Sequence, residues 1–164
     1  MDADLLTDTL GLYSVYARCM SSMLTEREII ESCACHRART AARVVTRAYD
    51  EALRPVGLRA TQLSVLVAVA VDDALSITAL AKFMGMDRST LTRNLRPLEK
   101  AGLISLGAEG WHRSRTLEIT KAGRMRLRKA LPLWQNAQQT LKRKLGDRAW
   151  DQMHASLDYL IARA

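Results

Sequence analysis

Residues 86–102, MDRSTLTRNLRPLEKAG, constrain the fold more than any other stretch, because a helix start, a buried stripe, an exposed face and a stop all lie within them. Asp87 is placed to cap a helix and to sit on the positive end of its dipole. Leu91, Leu95 and Leu98 follow at i, i+4 and i+7, one stripe that must pack against the rest of a domain. Opposite them, at about 100° per residue, stand Ser89, Arg93, Arg96 and Lys100, with Arg88, Thr90 and Thr92 nearer the helix start. That face offers hydroxyls and cations and no carboxylate. Alone, it suits a solvated surface helix as well as one that enters the DNA major groove, where Arg pairs with guanine and hydroxyls reach phosphate or base edges.

The flanking residues favour the groove. Ser76 is a cap for a short segment with Ile77, Leu80, Ala81 and Met84 on one face, and Gly85 is placed to end it in a left-handed turn. Two short helices joined by a tight turn make a helix-turn-helix whose second member reads DNA, with Lys82 of the first available for phosphate. Pro97 removes one backbone donor from the second helix and is expected to bend it beyond Arg96. Gly102 stops that helix. Residues 103–106 and 115–119 then read as two strands around a polar loop, residues 107–114. A hairpin after a helix-turn-helix is a winged helix, and His112, Arg113 and Arg115 lie near its tip, where Arg is suited to the minor groove.

The charge is distributed to match. The chain carries a formal net +8, and from Lys82 to Lys129 it has 12 Lys and Arg against 4 Asp and Glu, leaving 13 of each sign elsewhere. A surplus confined to the proposed reading region is an electrostatic footprint for a polyanion, so double-stranded DNA is the expected partner. Aromatics make up 5% of the 164 residues and apolar residues 48%, which favours a mainly α protein with an aliphatic core and a small β-hairpin wing. Asp2, Asp4 and Asp8, with no early cation, do not resemble a secretory signal, and the longest apolar run, residues 65–71, is far too short for a bilayer. The expected location is cytoplasmic, with no membrane partner.

Residues 1–24 read as an N-terminal extension with helical potential. From Glu26 to Leu53 one long helix is expected: Cys35, Ala38, Ala42, Val45, Tyr49 and Ala52 recur on one face, and Arg39, Arg43 and Arg47 step along another. Residues 61–71, TQLSVLVAVAV, have the composition of a buried strand but also fit a helix. Helix is preferred, with Thr61 as its start. Thr120 is placed to cap a long basic helix ending at Gly146, and Trp150, Met153, Leu157 and Leu160 form a coiled-coil-like seam in a last one. These terminal stripes exceed what one small winged helix covers, and a second subunit is the natural cover.

From about Ile29 to the C-terminus the chain resembles the MarR family of bacterial transcriptional regulators. The resemblance rests on RAYDEALRPVGLRATQLSVL (residues 47–66), ITALAKFMGMDRSTLTRNLRPLEKAGLI (residues 77–104) and a wing that ends in LEITKAG (residues 117–123). It implies a homodimer with dimerisation helices at residues 25–56 and 124–164 and a winged helix-turn-helix at 57–123. Two reading helices would then meet half-sites of a pseudo-palindrome about 10 base pairs apart. In the wing, Trp111 and His112 stand where the family usually has an Asp and its first Arg, while Arg113 matches the second. Arg59 occupies a place where a capping Thr or Ser is common.

Cys19, Cys33 and Cys35 are an odd number of cysteines, which argues against a disulfide framework. On one helix Cys33 and Cys35 would stand about 200° apart, too far round to bridge readily, and Cys-x-Cys without a second ligand pair is a poor zinc site. Small buried helix-face residues are the plain reading. An ungapped alignment to the organic-hydroperoxide sensors of the same family gives the sharper one. Cys35 falls on their reactive thiol and Tyr49 on one of the two tyrosines that hold it, with Arg39 in place of the other. Arg39, Arg43 and Tyr49 are also candidates to meet the carboxylate of a small phenolic or aromatic acid, the other common effector class in the family. No catalytic constellation, metal-binding spacing or cofactor motif stands out, and His36, His112 and His154 read as surface or interface residues. The expected function is DNA-binding transcriptional regulation by a homodimeric repressor, released by a small ligand or by peroxide. A redox-active thiol protein using Cys35 for peroxide sensing or reduction is the alternative.

Overall fold

A computed structural model describes residues 25–72, 75–109 and 115–163. The expectations for residues 1–24, Cys19, Trp111, His112 and Arg113 lie outside these. The chain divides into two units, one ending at Val44 and the other running on from Val45.

The first unit contains α1 (Glu26–Ser32) and the beginning of α2 (Ala34–Leu53). A capping box opens α1: the Thr25 hydroxyl accepts from the Glu28 N–H, and the Glu28 carboxylate accepts from the Thr25 N–H and hydroxyl. The single helix expected from Glu26 to Leu53 is instead broken at Cys33, which is extended at φ −66°, ψ 109°. No Gly or Pro marks the break. The Cys33 Sγ accepts from the His36 N–H at 3.4 Å, while the Arg37 guanidinium donates twice to the Glu31 carbonyl, at 2.9 and 2.6 Å. Both ends of the break thus find partners in side chains. The premise that put Cys33 and Cys35 on one helix is removed, and both thiols are free.

In the second unit, α2 runs on to Leu53, a 3₁₀ turn (Arg54–Val56) follows, and α3 (Ala60–Val71) enters the core. The helix reading of this apolar stretch holds. It packs on α6 (Lys121–Leu145), α5 (Arg88–Lys100) and β3 (Arg115–Ile119), burying Leu63, Val65, Leu66, Ala68 and Val69. A helix covered on several sides shows little amphipathic period, which is why composition alone left it ambiguous. It starts at Ala60, one residue before the expected Thr61. The Ala60 N–H is accepted by Asp50 Oδ1 of α2 at 2.7 Å, and the Arg59 N–H by Gln62 Oε1 at 2.9 Å. A carboxylate ten residues upstream therefore supplies the cap that Arg59 cannot.

The short strand β1 (Leu75–Ser76) leads into α4 (Ile77–Phe83), the turn and α5. β2 (Ile104–Glu109) and β3 form the expected antiparallel hairpin, but β1 pairs with the other edge of β3, giving a three-stranded sheet of order β1-β3-β2. Leu117 of β3 faces Leu75 in one neighbour and Leu106 in the other. β2 starts at Ile104 and takes in Gly107–Glu109, which the sequence pattern places in the loop. Thr120 caps α6 as expected, accepting from the Gly123 N–H at 3.0 Å, and α6 runs through Pro132 to Leu145. Gly146 separates it from α7 (Asp147–Ile161). No single helix among the described residues is long and apolar enough to cross a membrane.

Candidate nucleic-acid interface

The turn between α4 and α5 fixes the reading helix. The Ser76 hydroxyl accepts from the Ala79 N–H at 3.0 Å to start α4. At its end, Gly85 adopts φ 59°, and the Met86 and Gly85 N–H groups return to the carbonyls of Ala81 and Lys82 at 2.9 and 3.1 Å. This is the αL termination that glycine permits without a Cβ penalty. The Asn94 side-chain amide donates to the Met86 sulfur at 3.7 Å, tying the turn to the middle of α5.

Asp87 then organises the first turn of α5. Its Oδ1 accepts from the Ser89 hydroxyl at 2.5 Å and the Thr90 N–H at 2.8 Å, and its Oδ2 accepts from the Thr90 hydroxyl at 2.7 Å. These bonds, Ser89 first, hold the Asp87 carboxyl well below the usual carboxylate range. Thr90 Oγ1 in turn accepts from the Arg93 guanidinium at 3.1 Å, so a chain of hydrogen bonds runs from the cap to an expected base reader. The Thr92 hydroxyl donates to the Arg88 carbonyl at 2.7 Å. All three hydroxyl protons of Ser89, Thr90 and Thr92 are thereby directed into the protein.

Leu91, Leu95 and Leu98 are buried, whereas Lys82, Arg88, Arg93, Arg96 and Lys100 are exposed. Among the described residues none of these cations forms an ion pair. An exposed row of unneutralised cations on a rigidly capped helix carries a positive potential that favours a polyanion. α5 continues through Pro97 to Lys100. Of the wing cations, Arg115 begins β3.

Cys35 is exposed near the start of α2, and no hydrogen bond among the described residues links it to Arg39. Arg43 donates to Thr40 Oγ1 at 3.1 Å. The Tyr49 hydroxyl donates to Gln138 Oε1 of α6, and burial pushes that phenol up. The sequence reading missed Asp50, Gln138 and Asn94. The first two act across long stretches of chain, and Asn94 acts through a methionine sulfur, so no local pattern marks them.

The profile of the MarR family matches residues 58–105, from the start of α3 into β2. A structure of the transcriptional regulator MosR from M. tuberculosis is 38% identical, with 80% of this chain and 94% of that one covered at a TM-score of 0.70. The chain belongs to the MarR family. As a MarR-family transcriptional regulator it also matches MosR in complex with DNA, at 35% identity, 81% and 100% coverage and a TM-score of 0.68. CouR from Rhodococcus jostii RHA1 bound to p-coumaroyl-CoA, at 23% identity, 80% and 93% coverage and a TM-score of 0.67, shares the fold. A comparison with curated proteins finds no match.

Proposed function

We propose that this regulator is a homodimeric repressor that places α5 of each subunit in successive major grooves of a pseudo-palindromic operator and is released by a small effector. The observation that carries the reading is the face of α5, where Arg88, Arg93, Arg96 and Lys100 stand exposed, with no ion pair among the described residues, over a leucine stripe that fixes their direction. Ser89, Thr90 and Thr92, whose hydroxyl protons are held by the protein, offer oxygen lone pairs and shape the helix start. Base discrimination is assigned to the arginines, and Lys82 and Lys100 are assigned to phosphate. His112, Arg113 and Arg115 of the wing are assigned to the neighbouring minor groove. The DNA complex of MosR supports DNA as the partner. Residues 25–56 and 124–164 are assigned to the dimer and 57–123 to DNA.

The test is binding to the protein's own promoter DNA against scrambled DNA across a salt series. Arg93→Ala is expected to lose preference for the promoter, whereas Lys82→Ala weakens both DNAs alike and lowers the salt slope by about one. Equal loss on both DNAs from Arg93→Ala overturns the assignment.

A redox reading of release has one observation in its favour, the exposed free thiol of Cys35. Stoichiometric peroxide is then expected to release wild type but not Cys35→Ser, with recovery in reductant. Steady turnover of peroxide with a recycling thiol would instead mark Cys35 as catalytic.

A further inference from the structure

A cavity of about 690 Å³ opens between α3 and α6, lined mainly by Leu63, Val67, Val71, Phe83, Leu131 and Trp134. Its volume lies in the range of small-molecule sites. Val71 and Phe83 are 83% and 74% exposed, so a ligand can enter without parting the packed core, and Trp134 lies deeper, half-buried against that core. Apolar surface of this extent left open to water gains free energy from any apolar ligand that covers it.

Charge narrows the class of ligand. Two polar residues among those described line the cavity, Ser64 and Asp72. The Ser64 hydroxyl donates to the Ala60 carbonyl at 3.2 Å, which leaves an acceptor lone pair for a ligand. Asp72 is the C-cap of α3, and its carboxylate has no ion pair or hydrogen bond among the described residues. The negative end of the α3 dipole adds to the same sign. Among the described residues no Lys, Arg or His lines it, and neither does Tyr49, one of the residues expected from sequence to hold an acid. An anionic ligand here would lose its hydration beside a carboxylate and a helix C-terminus, with no cation in return among the described lining residues. A cation would meet Asp72 and two aromatic side chains, Phe83 and Trp134.

We propose that this cavity binds small lipophilic cations, an aromatic body bearing one protonated or quaternary amine, with Asp72 facing the charge and Phe83 and Trp134 enclosing the rings. The proposal rests on the reading of the protein as an effector-controlled regulator and names the charge class of the effector.

Two probes with the same ring system test it by calorimetry on the full chain: 1-naphthylmethylammonium and 1-naphthoate. The ammonium is expected to bind about fivefold more tightly or better, Asp72→Asn to remove most of that preference, and Leu131→Trp, at a partly exposed wall, to block the ammonium. Asp72 is exposed, so its substitution leaves the core in place even if Leu131→Trp fails to fold. Equal or tighter binding of naphthoate overturns the charge class. Ammonium binding that neither substitution changes overturns the site, and so does ammonium binding that vanishes when the protein self-associates, which assigns the groove to a second copy. Promoter binding by the same preparation separates the two readings. Ammonium binding without promoter binding supports the cavity and fails the regulator; promoter binding with no ammonium binding fails the cavity alone.

Discussion

The reading region and the last helix use similar leucine-rich patterns to opposite effect. In α5 the stripe is sealed, with Leu91, Leu95 and Leu98 at 0%, 2% and 1% exposure, whereas α7 has no buried residue and leaves Leu157, Leu160 and Ile161 at 47%, 60% and 74%. α1 likewise buries nothing and exposes Ile29 and Ile30. The winged helix completes its core and helix caps within one chain, while the terminal helices carry apolar faces left exposed among the described residues. A second subunit is the proposed cover, and it would be the device that sets the spacing of two reading helices.

The largest effect is expected in the core. Leu91→Ala is expected to cost about 3 kcal/mol by denaturant unfolding, since it leaves a cavity in a sealed stripe. A cost near zero would mean that the stripe is not what orients α5. Gly123→Ala comes next. An added Cβ would lie 2.0 Å from the Leu103 carbonyl oxygen and 2.8 Å from the Ile119 side chain, so a loss of about 1–3 kcal/mol is expected although Ala is the better helix former. Thr120→Ala, measured the same way, should cost about 1 kcal/mol through the lost cap of α6; the Thr120 hydroxyl also donates to the Gly102 carbonyl at 2.6 Å, tying the end of α5 to that helix.

The acid limb of the stability curve sharpens the reading-helix side. Asp87 has its carboxyl lowered in the folded protein, so it binds a proton more readily when unfolded. Its contribution is present above the unfolded carboxylate value of about 3.9 and is lost as pH falls through the lower folded value. Asp87→Asn should flatten that part of the curve between about pH 4 and 2. The smallest stability change is expected on the other side of the comparison. Leu160→Glu in α7 should alter the folding of the single chain by less than about 0.5 kcal/mol. In sedimentation the same variant should fall from dimer to monomer, and an unchanged particle would remove α7 from the proposed interface.

Much of the winged helix is legible from sequence because its signals are local. Ser76, Asp87 and Thr120 cap the helices that follow them, and Gly85 and Gly102 end the preceding ones with left-handed turns. Each acts within a few residues, where side-chain chemistry and backbone geometry are set by neighbours in the chain. The break at Cys33 was hidden because the residues that stabilise it, His36 and Arg37, carry no breaker signal. β1 escaped notice because two residues do not establish an alternating pattern.

By itself the sequence determined the mainly helical winged fold, the boundaries of the reading helix and the sign of the partner's charge, since helical period, caps and net charge are properties of the chain order. Tertiary structure alone decided that Asp50 caps α3, that Tyr49 meets Gln138 and that Asp72 lines the open cavity between α3 and α6. Such juxtapositions depend on how helices distant in sequence pack, and packing follows from the shape and burial of all their side chains together.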